Sequence, residues 1–468
     1  MNPQRVARFV NQFWGNAVLP AFAEFVRIPS KSPLFDAQWE KHGHLEAAAH
    51  FMAEWAQAQN VRGLRVQILK TPRRTPLLYL EIPGTSPQTT LFYGHLDKMP
   101  EAEGWHKGFG PWKPVIKNSR IYGRGTADDG YALFALITAI KCLQEEQLDH
   151  PRCVALFETC EETDSCDLPY YLKRLRPRLG KVDLVICLDT AAHDYRNLWC
   201  TTSLRGIIEG TLKVRLLKDP VHSGAIGGII ASTFRVIRRV LSRIEDAHTG
   251  KILLASCYAK IPLEYKKQAH SIAAILGKRV YTDFPLLGKL VQPITQRTDE
   301  LLLNRSWRPT LSIIGAEGLP RIQDAGSVLR PMTALQLSLR IPPGCNPDKI
   351  AKELKQTLEH NPPYGATIHF TPSVSVAGWT APKMAPWLKH VIDGAAQEFF
   401  SSPPLYIGEG GSIGVIPMLH QAFPKAQFIL TGACGPQSNE HGPNESLYLP
   451  MAKKITACIA YILTKKDD

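Results

Sequence analysis

Hydrophobic residues along this chain follow two recurring patterns. Short, nearly continuous apolar runs occupy residues 77–82, 91–93, 153–157 and 182–188, which is typical of strands buried on both faces. Between them, residues 131–143 place apolar side chains at helical spacing. Strands that alternate with helices predict an α/β fold whose mixed sheet is covered on both faces.

The pattern changes near residue 205. Residues 207–217 alternate like a long strand, residues 226–243 have helical spacing, and residues 335–341 again have a strand pattern. Residues 252–300 have no clear pattern and receive no assignment. We therefore predict one domain built from two separated parts of the chain, and a second, inserted α+β domain: residues 1–204 and 379–468 for the first, and residues 205–378 for the second.

The composition is that of an ordinary globular protein. Of 468 residues, 44% are hydrophobic and 21% are charged, and no apolar run is long enough to span a membrane. The N-terminal segment mixes arginine and amide side chains into its apolar positions, which indicates an amphipathic helix and not a signal peptide. Because the ten cysteines contain no C-x-x-C pair, we expect reduced thiols and a cytoplasmic location.

The formal net charge of +13 raises the question of nucleic-acid binding. The basic residues are scattered, however, and the densest helical stripe contains only four arginines: Arg235, Arg238, Arg239 and Arg243. No basic run is interleaved with aromatic residues, as a base-stacking surface requires. A solvated basic face is the better interpretation, and we expect no nucleic-acid partner and no membrane partner.

Residues of metal-binding type follow the apolar runs. His95 and Asp97 come directly after residues 91–93, and side chains two positions apart on a strand face the same side. Asp128 and Asp129 come just before the helical pattern at 131–143. An imidazole and carboxylates at one place are suitable ligands for a metal ion. The alternative is structural, with His95 satisfied in a turn and Asp129 capping the helix.

Two further apolar runs also end in acids. Glu161 and Glu162 follow residues 153–157, and Asp189 follows residues 182–188. His441 lies in a polar loop after a later strand pattern. Each residue alone is compatible with a loop acid or a helix cap. Because the carboxyl ends of strands converge in an α/β sheet, we expect these residues to share one site.

Two other motifs leave alternatives open. His222 lies in a turn before a Gly-rich stretch, where a histidine is more often structural. The sequence from Gly410 to Gly414 matches the G-x-S-x-G nucleophile elbow of serine hydrolases, with Ser412 as the nucleophile. The apolar run before this motif is very short, so a Gly-rich substrate loop is the preferred interpretation.

Together these residues resemble the M20 family of metallopeptidases, and most of all its dipeptidase branch, which includes carnosinases and bacterial dipeptidases. The resemblance covers most of the chain and is weakest over residues 252–300. Asp rather than Glu at position 189 favours the dipeptidase branch over deacylases. The resemblance to the M20 family rests on short motifs that occur in the same order along the chain: His95-Leu96-Asp97, Gly123-Arg124-Gly125 with Asp128-Asp129-Gly130, Glu161-Glu162, Asp189, His222-Ser223-Gly224, Gly410-Gly411-Ser412 and His441.

The resemblance implies a site for two divalent ions. Asp97 is expected to support the ligands without binding an ion, and the peptide bond between Asp128 and Asp129 is expected to be cis. Three positions depart from the family pattern: Gly130 stands where a lysine is common, Lys98 where a small apolar residue is usual, and Gly414 where a proline is usual. The implied ligands are His95, Asp128 and Asp189 for one ion, and Asp128, Glu162 and His441 for the other, so that Asp128 bridges them.

The resemblance also implies a reaction, the hydrolysis of a dipeptide amide bond through a metal-bridged water. Mixed oxygen and nitrogen ligands suit zinc, with manganese and cobalt as alternatives. The inserted domain is expected to be a lid and dimerisation domain in a homodimer. Three other functions stay open: an M20-type deacylase of N-acyl amino acids, a serine hydrolase using Ser412, and a non-catalytic metal-stabilised binding protein. The implied roles are Glu161 as general base, His222 as a carbonyl-polarising residue from the partner subunit, Arg340 as the ligand of the substrate carboxylate, and Gly410, Gly411 and Ser412 as a substrate-binding loop.

Overall fold

A computed structural model describes residues 1–288 and 290–464 of the chain. Residue 289 and residues 465–468, which the predicted domains include, lie outside the described residues. The strands are β1 (Arg65–Leu69), β2 (Leu77–Ile82), β3 (Ser86–His95), β4 (Val115–Lys117), β5 (Arg120–Tyr122), β6 (Pro151–Glu158), β7 (Leu184–Cys187), β8 (Trp199–Leu204), β9 (Gly206–Arg215), β10 (Val221–His222), β11 (Thr310–Glu317), β12 (Val328–Leu329), β13 (Met332–Ile341), β14 (Thr367–Val376), β15 (Trp379–Thr380), β16 (Leu405–Glu409), β17 (Gln427–Leu430) and β18 (Ser446–Tyr448).

The helices account for most of the remaining regular structure. A π-helical turn (Trp14–Val18) separates the first two, and a short 3-10 turn covers Glu161–Thr163. The α-helices are α1 (Pro3–Phe13), α2 (Leu19–Arg27), α3 (Trp39–His42), α4 (His44–Ala58), α5 (Ala132–Glu145), α6 (Leu168–Leu179), α7 (Ser223–Ile226), α8 (Thr233–Leu241), α9 (Leu263–Leu276), α10 (Arg279–Thr282), α11 (Thr298–Trp307), α12 (Pro347–Glu359), α13 (Pro386–Phe400), α14 (Val415–Ala422) and α15 (Leu449–Thr464).

The chain divides into two compact units. The first contains Met1–Thr202, Ala381–Ile407 and the described part of Gly414–Asp468. The second contains Ser203–Thr380 and Gly408–Ile413, so the loop at Gly410 belongs to the second unit although it lies late in the sequence. None of the helices in residues 1–288 and 290–464 has the length and apolar character needed to cross a membrane.

A six-stranded mixed sheet forms the centre of the first unit, in the order β1-β2-β6-β3-β7-β17. Strands β6, β3, β7 and β17 run parallel to one another, whereas β2 runs antiparallel to both β1 and β6. The apolar residues of β2, β3, β6 and β7 are buried because the sheet is covered on both faces. These observations confirm the prediction of an α/β fold with a mixed sheet.

The position of β3 between β6 and β7 determines where the polar strand ends meet. The carboxyl ends of β3, β6 and β7 lie side by side, with His95 paired in register with Glu158 and Tyr93 with Cys187. The helix after Asp129 packs its apolar side chains on this sheet, and all but a few of its residues are buried. The sequence after each central strand is therefore delivered to one edge of the sheet.

The second unit contains a four-stranded antiparallel sheet in the order β11-β13-β9-β14. Helices α8 and α12 contribute apolar side chains to the core on this sheet, among them Val236, Ile237 and Leu354. The predicted helix over 226–243 was wrong in its first part: α8 begins at Thr233, where the Ser232 side chain caps it at Arg235 N–H (3.2 Å). Gly228, with φ near +86°, interrupts the helical backbone before that point.

The segment 252–300, which had no assignment, contains helices α9 and α10 and the start of α11. Only four residues of α9 are buried: Ala269, Ile272, Ala273 and Leu276. Several apolar side chains between Phe284 and Ile294 are exposed. Because these helices bury a narrow stripe and expose apolar residues, no clear hydrophobic period is visible in their sequence.

Candidate metal centre

Five of the predicted ligands lie together in the first unit. His95 is the last residue of β3, Glu162 lies in the 3-10 turn after β6, and Asp189 follows β7. Asp128 lies in the loop before α5, and His441 lies in the loop between β17 and β18. The structure therefore places all five residues at the carboxyl edge of the central sheet.

The two carboxylate oxygens of Asp128 face two different histidines. Asp128 Oδ1 lies 3.0 Å from His95 Nε2, and Asp128 Oδ2 lies 2.8 Å from His441 Nε2. Asp189 Oδ2 lies 3.8 Å from His95 Nε2, and Glu162 Oε2 lies 3.3 Å from His441 Nε2. In each group of three, the candidate ligand atoms lie within 4.8 Å of one another, and Asp128 is a member of both groups.

The candidate ligands and Glu161 together form a cluster with more acidic than basic side chains, which suits the binding of cations. Burial raises the pKa of both Glu162 and Asp189 well above the usual range, and it raises the pKa of Glu161 to about 8. Burial acts in the same direction on Asp128, but its hydrogen bonds with His441 and His95 lower its pKa overall. The carboxylates of this cluster outnumber its two imidazoles, and all three ligand acids are at least partly buried. Unpaired carboxylates are costly in such surroundings. Two divalent cations would supply the missing positive charge, so the residues fit a two-metal site.

Asp97 lies beside the candidate ligands and binds the backbone of the turn that carries Glu161 and Glu162. Its carboxylate accepts hydrogen bonds from the backbone N–H groups of Glu161 and Glu162, each at 3.1 Å. Its backbone carbonyl lies 3.0 Å from His95 Nδ1, and a proton on Nδ1 leaves Nε2 free to bind a metal. Strand β3 ends at His95, so the side chain of Asp97 faces the turn after β6 and joins neither group of ligands.

The peptide bond between Asp128 and Asp129 is cis, which confirms the expectation from the family resemblance. The alternative that Asp129 caps the following helix is wrong. Both of its carboxylate oxygens are buried and lack a hydrogen-bond partner within the described residues. The N-cap position of α5 is occupied by Tyr131, without a capping side-chain hydrogen bond.

Glu445 supports the Asp128 loop, and the sequence did not single it out. Its buried carboxylate accepts hydrogen bonds from the backbone N–H groups of Gly125 (3.2 Å) and Ala127 (3.0 Å). It also pairs with Arg124 Nη1 at 2.8 Å, and Arg124 Nη2 donates to the carbonyl oxygen of His441 at 3.2 Å. Glu445 and Arg124 therefore connect the loop of Asp128 with the loop of His441.

Two of the three departures from the family pattern, Lys98 and Gly130, lie beside the Asp128 loop. Buried Lys98 Nζ donates to the carbonyl oxygens of Phe25 and Ile28, each at 2.8 Å, and lies 4.1 Å from the Phe25 ring centroid. The Lys98 stem packs against Gly125, where a Cβ atom would be 2.8 Å from Lys98 Cε. A Cβ atom on Gly130 would collide with the Gly125 carbonyl oxygen and the Phe25 ring. Lys98 thus fills the space beside the loop, and Gly130 allows the close approach.

The predicted substrate-binding residues lie in the second unit. Arg340, on β13, donates from Nη1 to Ser412 Oγ at 2.9 Å. Ser412 Oγ donates to the Arg205 carbonyl oxygen at 2.6 Å. Within the described residues Ser412 has no histidine partner, so the serine-hydrolase alternative is not favoured.

The remaining predicted residues of the second unit are His222, Gly410 and Gly411. His222 is the exposed last residue of the short strand β10. A Cβ atom on Gly410 would lie 2.8 Å from Arg305 Cγ, whereas Gly411 faces open space. Gly410 therefore permits a close approach of the loop to Arg305, and His222 stands on the surface of its unit.

The comparisons with known proteins identify the class. A model of Peptidase family M20/M25/M40 matches residues 91–465, and the chain belongs to this family. This finding confirms the resemblance seen in the sequence and the prediction of a metallopeptidase, and it leaves a non-catalytic binding protein without support.

Individual relatives extend the similarity over most of the chain. The cysteinylglycine-S-conjugate dipeptidase of Corynebacterium striatum is 26% identical over 372 residues, which cover 78% of each protein. The Cys-Gly metallodipeptidase DUG1 of Saccharomyces cerevisiae is 26% identical over 426 residues, covering 82% of this chain and 81% of the relative. The crystal structure of human carnosine dipeptidase 1 has a TM-score of 0.80 at 20% identity, covering 99% of this chain and 98% of that chain, and shows the same fold.

Proposed function

We propose that this protein is a metal-dependent dipeptidase. The observation that carries the proposal is the position of Asp128, whose two oxygens face His95 and His441 in two adjoining groups of ligands. Curated relatives of similar length are dipeptidases by name, including the beta-Ala-His dipeptidase of Homo sapiens, 24% identical over 388 residues. The substrate class proposed here is therefore an unblocked dipeptide.

Two zinc ions are the proposed cofactors, with His95, Asp128 and Asp189 holding one and Asp128, Glu162 and His441 the other. When bound, such a pair of cations acidifies water and polarises a carbonyl group. Glu161 is the proposed general base: it accepts the proton of the attacking water and passes it to the leaving nitrogen. The hydrogen bond between Glu161 N–H and Asp97 supports this role because it fixes the backbone of the base.

Substrate recognition is assigned to the second unit. Arg340 is proposed to bind the substrate carboxylate, held in place by Ser412, with Gly410 and Gly411 forming the rest of the loop. His222 of the partner subunit is proposed to donate a hydrogen bond to the scissile carbonyl oxygen. The exposure of His222 is compatible with a role outside its own unit.

A homodimer formed through residues 205–378, the proposed lid and dimerisation domain, is part of the same proposal. Strand β11 lies at one edge of the four-stranded sheet, and its Ile313 and Ile314 side chains are exposed. An edge strand with exposed apolar residues is suited to pairing with another chain. We also propose a cytoplasmic location, because all ten cysteines are free thiols, most of them buried.

The test is a substrate panel with a chelated blank. Purified protein is stripped with a chelator, reloaded with zinc, manganese or cobalt, and offered dipeptides and N-acyl amino acids. The proposal predicts that dipeptides are hydrolysed only after metal is restored and that Glu161→Gln abolishes this turnover. Preference for N-acyl amino acids would favour the deacylase alternative instead. Labelling of Ser412 by a fluorophosphonate, with loss of activity, would support the serine-hydrolase hypothesis instead.

A further inference from the structure

Two cysteines lie together beside the proposed general base. Cys160 immediately precedes Glu161 and is buried, whereas Cys166 is exposed. Their sulfur atoms lie within 4.8 Å of each other. The six buried cysteines other than Cys160 lie on strands, on helices or in the core of the second unit. The Cys160–Cys166 pair differs from them because solvent reaches one of its two thiols.

The intervening turn brings the two thiols together. Asp164 and Ser165 both adopt positive φ angles, +64° and +49°, which reverse the direction of the chain. The Ser165 N–H donates to the Cys160 carbonyl oxygen at 3.0 Å and closes this turn. The residues enclosed between the two cysteines include Glu161 and Glu162.

A metal ion is a poor occupant of this place. Asp167 is the third residue with a ligand atom nearby, but both of its oxygens have partners. Oδ1 accepts from Arg74 Nη1 at 2.6 Å, and Oδ2 accepts from Thr75 N–H at 2.8 Å. Two thiols alone do not complete the four-ligand set of a structural metal site. Because a metal site is disfavoured, we consider the formation of a disulfide bond between the two cysteines.

We propose that Cys160 and Cys166 form a reversible disulfide when the protein meets a small-molecule disulfide, and that this bond lowers peptidase activity by displacing the turn that carries Glu161 and Glu162. The activity part of this proposal rests on the proposed function. The formation of the bond does not depend on it.

Each step balances. The exposed Cys166 thiolate attacks one sulfur of the small disulfide, forming a mixed disulfide and releasing one small thiolate. The Cys160 thiol donates to Glu158 Oε2 at 3.3 Å, so Glu158 accepts its proton as the Cys160 sulfur attacks the Cys166 sulfur. The second small thiolate leaves. The two cysteines are oxidised, and one small disulfide is reduced to two thiols.

Bond formation changes the local structure because the two sulfurs must approach to about 2.05 Å. The contact between Cys160 Sγ and Glu158 is then lost, and the enclosed turn becomes a small covalent ring. The N–H groups of Glu161 and Glu162 lie in that ring and are held by Asp97 in the reduced protein. A shift of this turn therefore misplaces both side chains.

The experiment uses metal-loaded protein with 2-hydroxyethyl disulfide as the oxidant. Free thiols are alkylated, and the tryptic peptide 153–173, which contains Cys153, Cys160 and Cys166, is analysed by mass spectrometry. The proposal predicts a peptide with one alkylated cysteine and one internal disulfide. It also predicts an activity loss of about tenfold or more that dithiothreitol reverses.

Variants separate the possible outcomes. Cys166→Ser is expected to keep full activity and to lose the response to the oxidant, whereas Cys345→Ser, a partly buried cysteine in the second unit, should respond like the wild type. A stable mixed disulfide on Cys166, or no modification at all, would overturn the linkage. A complete Cys160–Cys166 bond with unchanged activity would overturn the regulatory part. Absence of any hydrolysis in the reduced protein is a failure of the proposed function, and the mass measurement still decides the linkage.

Discussion

The carboxylate of Asp97 accepts a hydrogen bond from the backbone N–H of Glu162 at 3.1 Å, which joins the end of one central strand to the turn after its neighbour. We predict that Asp97→Asn weakens metal binding by about 10–100-fold without unfolding the protein, because the ligands lose support while remaining present. Titration of the stripped protein with zinc measures this change. Glu54→Gln, at an exposed carboxylate on α4 in the same unit, is the control and should bind zinc normally. Equal zinc affinity in Asp97→Asn and the wild type would contradict the supporting role.

His222 provides a second test, because its proposed role involves substrate and not metal. We predict that His222→Ala keeps its full metal content and lowers kcat by about 10²–10³-fold, as the loss of one oxyanion donor does. Metal analysis and steady-state kinetics on the same sample measure both quantities. His248→Ala, at another exposed histidine of the second unit, should change neither. Loss of metal in His222→Ala, as expected for His95→Ala, would exclude the proposed role.

Arg340 is expected to act on substrate binding. Replacement by glutamine removes a charge-assisted hydrogen bond to the substrate carboxylate, which is worth about 1.5–3 kcal/mol, and should lower kcat/KM mainly through a higher KM. Dipeptides with an amidated carboxyl terminus should show a much smaller difference between the two proteins. Arg215→Gln, on the exposed end of β9, is the matched control. If Arg340→Gln affects amidated and free dipeptides equally, Arg340 does not bind the carboxylate.

Replacement of the buried Lys98 is expected to change the free energy of unfolding by an amount that depends on pH. Lys98→Met leaves the carbonyl oxygens of Phe25 and Ile28 without their donor and should lower the free energy of unfolding by about 1–3 kcal/mol. Burial lowers the pKa of Lys98 to about 7, so above that pH the unfolded chain binds more protons than the folded chain. The stability of the wild type relative to Lys98→Met should therefore increase from about pH 7 to about pH 9.

Urea denaturation of both proteins at several pH values measures this difference. Lys117→Met, at an exposed lysine of the same unit, should match the wild type throughout. A difference between wild type and Lys98→Met that shrinks as the pH rises would show that the folded protein holds Lys98 in its charged form more strongly than burial alone allows.

The sequence contains enough information to predict the central sheet and the place where its polar strand ends meet. Residues 153–157 and 182–188 are apolar because their strands are buried on both faces, and Glu162 and Asp189 follow them directly. The approach of His95 to Asp189 follows from the same rule, since β3 and β7 are parallel neighbours whose carboxyl ends lie together. Asp128 comes from the loop before α5, so its contact with His95 does not follow from this rule.

The supporting residues could not be predicted in this way. Glu445 binds the Asp128 loop across more than 300 residues of sequence, and nothing in its local pattern indicates that partner. Lys98 is charged, and its burial depends on two carbonyl groups at the end of α2. Segment 252–300 lacked a pattern because its helices bury few residues. These features depend on tertiary contacts that spacing does not encode.

The central claim, that Asp128 is shared by two metal ions, is tested most directly by the metal content of ligand variants. Protein stripped with a chelator, reloaded with zinc and freed of excess should hold about two ions per chain. Asp189→Ala and Glu162→Ala should each retain about one ion, and Asp128→Ala should retain neither and have no turnover. A wild type that saturates with one ion, or an Asp128→Ala variant that still holds two, would contradict the account.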